Sequence, residues 1–127
     1  MRRNPSEDMR GCILDTRTYG LAEQAGMFCD ALESLEADFS GSEFVFDADE
    51  PYEVFFEWRF GDVVAGLSFM ADRDNSGWFV NTLGGQRRTR VRSAMTDFHA
   101  ADAGMFVQAL EEALGHPLRR IRYPIMQ

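Results

Sequence analysis

The sequence has no lysine. All thirteen basic residues are arginine, against twenty-one acids, for a net charge of −8. An arginine-only basic set, with frequent alanine and glycine, matches a GC-rich coding bias. The negative balance argues against non-specific nucleic-acid binding, which draws its affinity from positive surface on phosphate. Cysteine is scarce: Cys12 and Cys29 stand 17 residues apart, outside any Cys-x-x-Cys pair and with no neighbouring histidine. His99 and His116 are also isolated, so zinc-ligand spacing is missing and two reduced thiols are expected. No apolar run approaches the about 18 residues of a transmembrane helix. The opening Met1-Arg2-Arg3-Asn4-Pro5-Ser6-Glu7-Asp8 is not followed by an apolar stretch, so no leader peptide and a cytoplasmic location are expected. There is no Gly-x-Ser-x-Gly, and Gly84-Gly85-Gln86-Arg87 does not make a phosphate loop. No cofactor is implied.

The chain of 127 residues, 45% hydrophobic, suits one globular domain, which at this size buries about two thirds of its unfolded surface. Residues 1–9 read as a flexible arm and 10–127 as a single domain, with Met9–Leu14 a short strand or extended lead-in. A helix fits Tyr19–Ala37, where Leu21, Ala25, Phe28, Leu32 and Leu35 make one apolar stripe. A strand is expected at Phe44–Phe46. Tyr52–Phe60 alternates, with Tyr52, Val54, Phe56, Trp58 and Phe60 on one face and Glu53, Phe55, Glu57 and Arg59 on the other. Gly61-Asp62 suits a type II′ hairpin turn, after which Val63–Met70 and Trp78–Leu83 continue the sheet. Gln86–Ser93 carries Arg88, Arg90 and Arg92 on one face. A second helix fits Ala101–Leu114, ended by Gly115 and Pro117, and Leu118–Tyr123 suits a final edge strand. The expected fold is α+β: two layers, an antiparallel meander of four to five strands packed on its aromatic face by an N-terminal and a C-terminal helix.

Charge is unevenly placed. From Glu23 to Asp62 there are twelve acids against Arg59 alone, and from Gly84 onward seven arginines against four acids. The acidic part suits a basic protein partner. Its candidate contact residues are Asp47, Asp49, Glu50, Glu53, Phe55 and Glu57, with Phe55 as an aromatic anchor among carboxylates. Glu53 and Glu57, about 13 Å apart along a strand, stand wide for a catalytic carboxylate pair, and Arg59 is placed to pair with Glu57. Arg88, Arg90 and Arg92 offer an anion site, or else pair with acidic strands beside them. Asp72-x-Asp74-x-Ser76-Gly77 begins like a calcium loop, but Leu83 stands where the closing glutamate belongs, and the residues suit a hairpin loop better. His99, two residues after Asp97, has no evident nucleophile among Ser93, Thr96 and Cys12.

The stretch Glu53-Val54-Phe55-Phe56-Glu57-Trp58-Arg59-Phe60-Gly61-Asp62, continuing through Leu67-Ser68-Phe69 to Gly77-Trp78-Phe79-Val80, resembles a pattern of small bacterial proteins, some of which are similar to the immunity proteins that neutralise toxins. The resemblance covers about the middle third of the chain and rests on hairpin chemistry. It implies packing for Trp58, turns for Gly61, Asp62 and Gly77, and no catalytic residue. The expectation is a non-catalytic inhibitor, of immunity, antitoxin or anti-defence type, that occludes a basic partner surface. The alternatives are an acidic secretion-type chaperone and an anion or small-ligand binder using the arginine strand. Membrane and nucleic-acid partners are not expected, and the chain suits a monomer or a homodimer.

Overall fold

The alternating middle of the chain builds the sheet on which everything else is placed. The structure, a computed structural model, describes residues 2–13, 19–49, 53–70, 76–82, 90–94 and 100–119. Its elements in chain order are α1 (Pro5–Ile13), α2 (Tyr19–Ser34), β1 (Glu43–Asp49), β2 (Glu53–Phe60), β3 (Val63–Met70), β4 (Gly77–Thr82), β5 (Arg90–Ala94) and α3 (Ala100–Leu114). The five strands lie in sequence order and every neighbouring pair is antiparallel. This is the expected α+β meander with helices on one face of the sheet.

The β2–β3 hairpin follows directly from its residues. Gly61 takes φ +65°, while Asp62 keeps a negative φ, the combination a type II′ turn demands. Val54, Phe56 and Trp58 point inward and are buried, as are Ala65, Leu67 and Phe69 on the paired strand. Phe28 of α2 meets Phe69 edge-on at 6.0 Å. Phe106 of α3 reaches Phe28, Trp58 and Trp78 with ring centroids 6.1, 6.3 and 6.0 Å away. The core is therefore one aromatic layer between the sheet and the two long helices, which pack most closely over β3 and β4.

The N-terminal segment differs from the expectation of an arm followed by a strand or extended lead-in. Residues 5–13 form a helix, because Asn4-Pro5-Ser6-Glu7 is a helix start. The Asn4 side-chain oxygen accepts the Ser6 N–H at 3.0 Å, and the Asn4 carbonyl accepts the Glu7 N–H at 3.0 Å. Proline at the first helical position, with Glu7 and Asp8 in the first turn, completes the start. Met9 is fully buried against the core. Asp8 accepts the indole N–H of Trp58 at 2.9 Å and ion-pairs with Arg3 at 3.2 Å. The indole N–H of Trp78, by contrast, is buried with no hydrogen-bond partner among the described residues.

Helix α2 stops at Ser34, short of the expected Ala37. Glu36 takes φ +53°, and among the described residues it is the only non-glycine in that region. Cys29 is buried on α2; its thiol donates to the Ser6 carbonyl at 3.2 Å, and burial pushes its pKa up to about 11. It packs α1 on α2 and is unsuited to thiolate chemistry. No disulfide joins it to Cys12.

Helix α3 ends as its sequence predicts, with Gly115 at φ +78° and its N–H on the Glu111 carbonyl at 2.9 Å. Glu111 then fastens the chain that follows. One carboxylate oxygen accepts the Leu118 and Arg119 N–H groups at 2.8 and 3.1 Å, and the other accepts the Arg119 guanidinium at 2.6 Å. Burial pushes the Glu111 carboxyl pKa up, but the Arg119 side chain and the two backbone donors outweigh it and hold the pKa below the usual range. Asp38 is likewise held down, to about 2, by the Ser40 hydroxyl and then by the Arg3 and Ser40 N–H groups. Both folded pKa values lie below their unfolded ones. The stability they contribute is therefore present above pH about 4 and lost as pH falls through the folded values. Glu111→Gln is expected to melt several degrees below wild type at neutral pH, with the gap closing between pH 5 and 3. Thermal melts across that range check it, and a gap independent of pH would contradict the assignment. Of the expected Leu118–Tyr123 strand, Arg119 forms an isolated bridge to Ala37; residues 120–127 lie outside the described ones.

Candidate functional site

The helices cover one face of the sheet. On the other, the odd-numbered residues of β1 and β2 project from the same side. The register sets Asp47 opposite Phe55, Val45 opposite Glu57 and Asp49 opposite Glu53. Five of the six residues expected to contact a partner are thus brought onto one face: Asp47, Asp49, Glu53, Phe55 and Glu57. Glu50 lies outside the described residues.

The centre of this face is an aromatic pair that the sequence reading misses. Phe55 on β2 and Phe79 on β4 stack with centroids 6.1 Å apart and planes 13° from parallel. Their strands are separated by β3, a gap of about 10 Å, which the rings bridge. They meet because β3 carries glycine between them: Gly66 pairs with both Glu57 and Phe79. A Cβ there would overlap the Phe79 ring and approach the Phe56 carbonyl oxygen to 3.1 Å. Both rings remain partly exposed. The available signal is Gly66 within an otherwise well-packed strand, a mark of close approach by a neighbouring group.

The carboxylates around this pair differ in their circumstances. Glu57 is mostly covered, with 14% of its side chain accessible, and accepts the Arg59 Nε–H at 2.6 Å. Its charge is thus largely matched by Arg59, as the sequence spacing suggests. Asp47 is exposed and Glu53 half-buried, and among the described residues neither makes an ion pair. These two present net negative charge beside the aromatic stack.

Arg90 and Arg92 occupy register positions on the same face, opposite Asn81 and Phe79; Arg88 lies outside the described residues. The expected pairing of these arginines with acidic strands beside them is not supported by the strand order. The neighbour of β5 is β4, and Gly77–Thr82 contains no acid. The acidic strands β1 and β2 are about 14–19 Å away across the sheet.

The calcium-loop candidate has one described member. Ser76 is buried, and its hydroxyl oxygen accepts the Met70 N–H at 2.8 Å and lies 3.5 Å from the Gln24 side-chain oxygen. It ties the residue before β4 to the last residue of β3. Asp72 and Asp74 lie outside the described residues, as do Asp97 and His99. Among the described residues no three histidine, cysteine or acidic side chains converge on a common point. No described helix is long and apolar enough to cross a membrane.

Comparison with protein-family models, curated proteins and solved structures finds no match.

Proposed function

We propose that this chain is a non-catalytic binding protein of the bacterial cytoplasm that occludes a basic surface on a protein partner, as immunity proteins and antitoxins do. The observation that carries this reading is the Phe55–Phe79 stack, held by Gly66 on the face opposite the helices and bordered by Asp47 and Glu53. A rigid aromatic pair supplies contact area at small entropic cost, while carboxylates at its border steer a basic partner and fix its orientation. Arg90 and Arg92 limit the match to a partner that is basic opposite β1 and β2.

The test compares wild type with the Asp47→Lys/Glu53→Lys variant as bait for a source-cell lysate at low and at high salt. One stoichiometric partner should be retained by wild type at low salt and lost with added salt. The variant should lose it even at low salt, because charge-steered association falls by about 10-fold or more when the steering charges are reversed. A partner retained equally by both baits overturns the acidic-face reading.

A second reading has one specific observation behind it. Arg90 and Arg92 stand on one face without acids on the adjacent strand, an arrangement suited to a phosphate or carboxylate ligand. Millimolar phosphate or nucleotide would then raise the melting temperature, since a ligand bound only to the folded state stabilises it.

A further inference from the structure

Strand β1 lies at one end of the sheet: β2 pairs with one side of it, and no described strand pairs with the other. It is regular over all seven residues, with unbroken register from Glu43 opposite Arg59 to Asp49 opposite Glu53. It contains no proline and no bulge, two of the devices that blunt an exposed edge. The two faces of this edge differ in chemistry. Glu43 and Asp47 are exposed on the helix-free face, and Asp49 holds the next position on it. On the other face Phe44 and Phe46 pack against Phe56, with centroids 6.2 and 5.4 Å away, yet both remain partly exposed. The long helices lie over β3 and β4, so the aromatic core is thinly covered at this end.

We propose that β1 is a strand-addition site for an extended peptide segment in which basic and apolar residues alternate. The added strand would take main-chain hydrogen bonds from the outer edge of β1. Its basic side chains would lie along Glu43 and Asp47, and its apolar ones would cover Phe44 and Phe46. Main-chain pairing supplies affinity in this mode, and the alternate side chains supply selection. A second copy of this chain is the wrong occupant. Antiparallel pairing of β1 with another β1 sets Glu43 opposite Asp47 or Asp49, and like charges directly opposite are destabilising. The charge that blocks self-pairing is the charge that selects a basic strand. The proposal deepens the binding reading by giving the class of partner segment, and it rests on that reading for the partner's basic character.

The experiment titrates the full-length protein with an alternating Arg/Val heptapeptide and follows backbone amide shifts and hydrogen exchange by NMR. Amides of Glu43–Asp49 should shift, with alternate ones slowed in exchange. Of two peptides N-methylated at alternate residues in opposite phases, the one blocked on the edge that meets β1 should bind at least ~10-fold more weakly, while the other keeps its affinity. A Glu/Val heptapeptide should not bind. Shifts confined to Phe55, Gly66 and Phe79, with β1 unchanged, overturn strand addition and leave docking on the face standing. Equal binding by both methylated peptides, or no shift at millimolar peptide, also overturns it; the lysate comparison then decides the broader reading independently.

Discussion

Phe106→Ala should remove about 3–5 kcal/mol of folding stability, the cost of truncating a large aromatic in a core that collapses only in part. Phe106 is fully buried and is the ring of α3 that meets Phe28 of α2, Trp58 of β2 and Trp78 of β4. Its loss opens a cavity where helix, helix and sheet join. Single domains are stable by about 5–15 kcal/mol in total, so the variant should lose a large share of its stability. Urea denaturation should show a large fall in midpoint with the slope preserved. Phe106→Leu, which keeps most of the volume, should cost much less. A loss below about 1 kcal/mol for the alanine variant would mean that α3 does not seat on the sheet as described.

The second large effect is expected at Gly66→Val. The new side chain collides with the Phe79 ring on one side and the Phe56 carbonyl on the other, so Phe79 must leave its stack on Phe55. Overpacking of this kind costs about 1–3 kcal/mol, and loss of the aromatic pair adds about 0.5–1.5 kcal/mol. The diagnostic measurement is a double-mutant cycle. On a Phe79→Ala background the ring is gone, and Gly66→Val should cost clearly less, leaving a residual from the Phe56 carbonyl. A coupling energy near zero would show that the ring does not lie over Gly66. Because the stack is the proposed contact centre, Gly66→Val should also lose the lysate partner while staying folded. Phe106→Ala should lose it only by unfolding.

What the sequence made legible follows from the range of the interactions involved. The β2–β3 hairpin was readable almost to the residue, because strict alternation, aromatic residues and Gly61-Asp62 act within a few positions of one another. The common face of Asp47, Phe55 and Glu57 was readable only in part. Alternation places Phe55 with Glu57, whereas bringing Asp47 beside them requires the β1–β2 register. Phe79 was missed for the same reason in stronger form. Its partner lies 24 positions earlier, on a strand that does not touch its own. Helix α1 was missed although its cap was visible, since Asn4-Pro5-Ser6-Glu7 carries the signal. The helix is nine residues long, with Met9, Cys12 and Ile13 its apolar positions beyond Pro5, too short a run for a 3.6-residue period to stand out. That β5 lies beside β4, which carries no acid, was not legible either, because strand order, not charge, decides which strands are neighbours.

The sequential strand order also bears on how the chain reaches this structure. Each of the four pairings joins strands adjacent in the sequence, the tightest through Gly61 and Asp62 alone. Hairpins close with little loss of chain entropy, and proteins rich in such local pairings fold quickly for their size. Among the described residues, longer closures include Trp58 to Asp8 and Arg3 to Asp38 at the N-terminal segment, Asp38 to Leu118 after α3, and the ring contacts of Phe106 with Phe28 and Trp58. The meander is therefore expected to grow outward from the Gly61-Asp62 turn. Asp38, which receives the Arg3 N–H and gives its own to Leu118, joins the N-terminal segment to the residues after α3, a closure expected late.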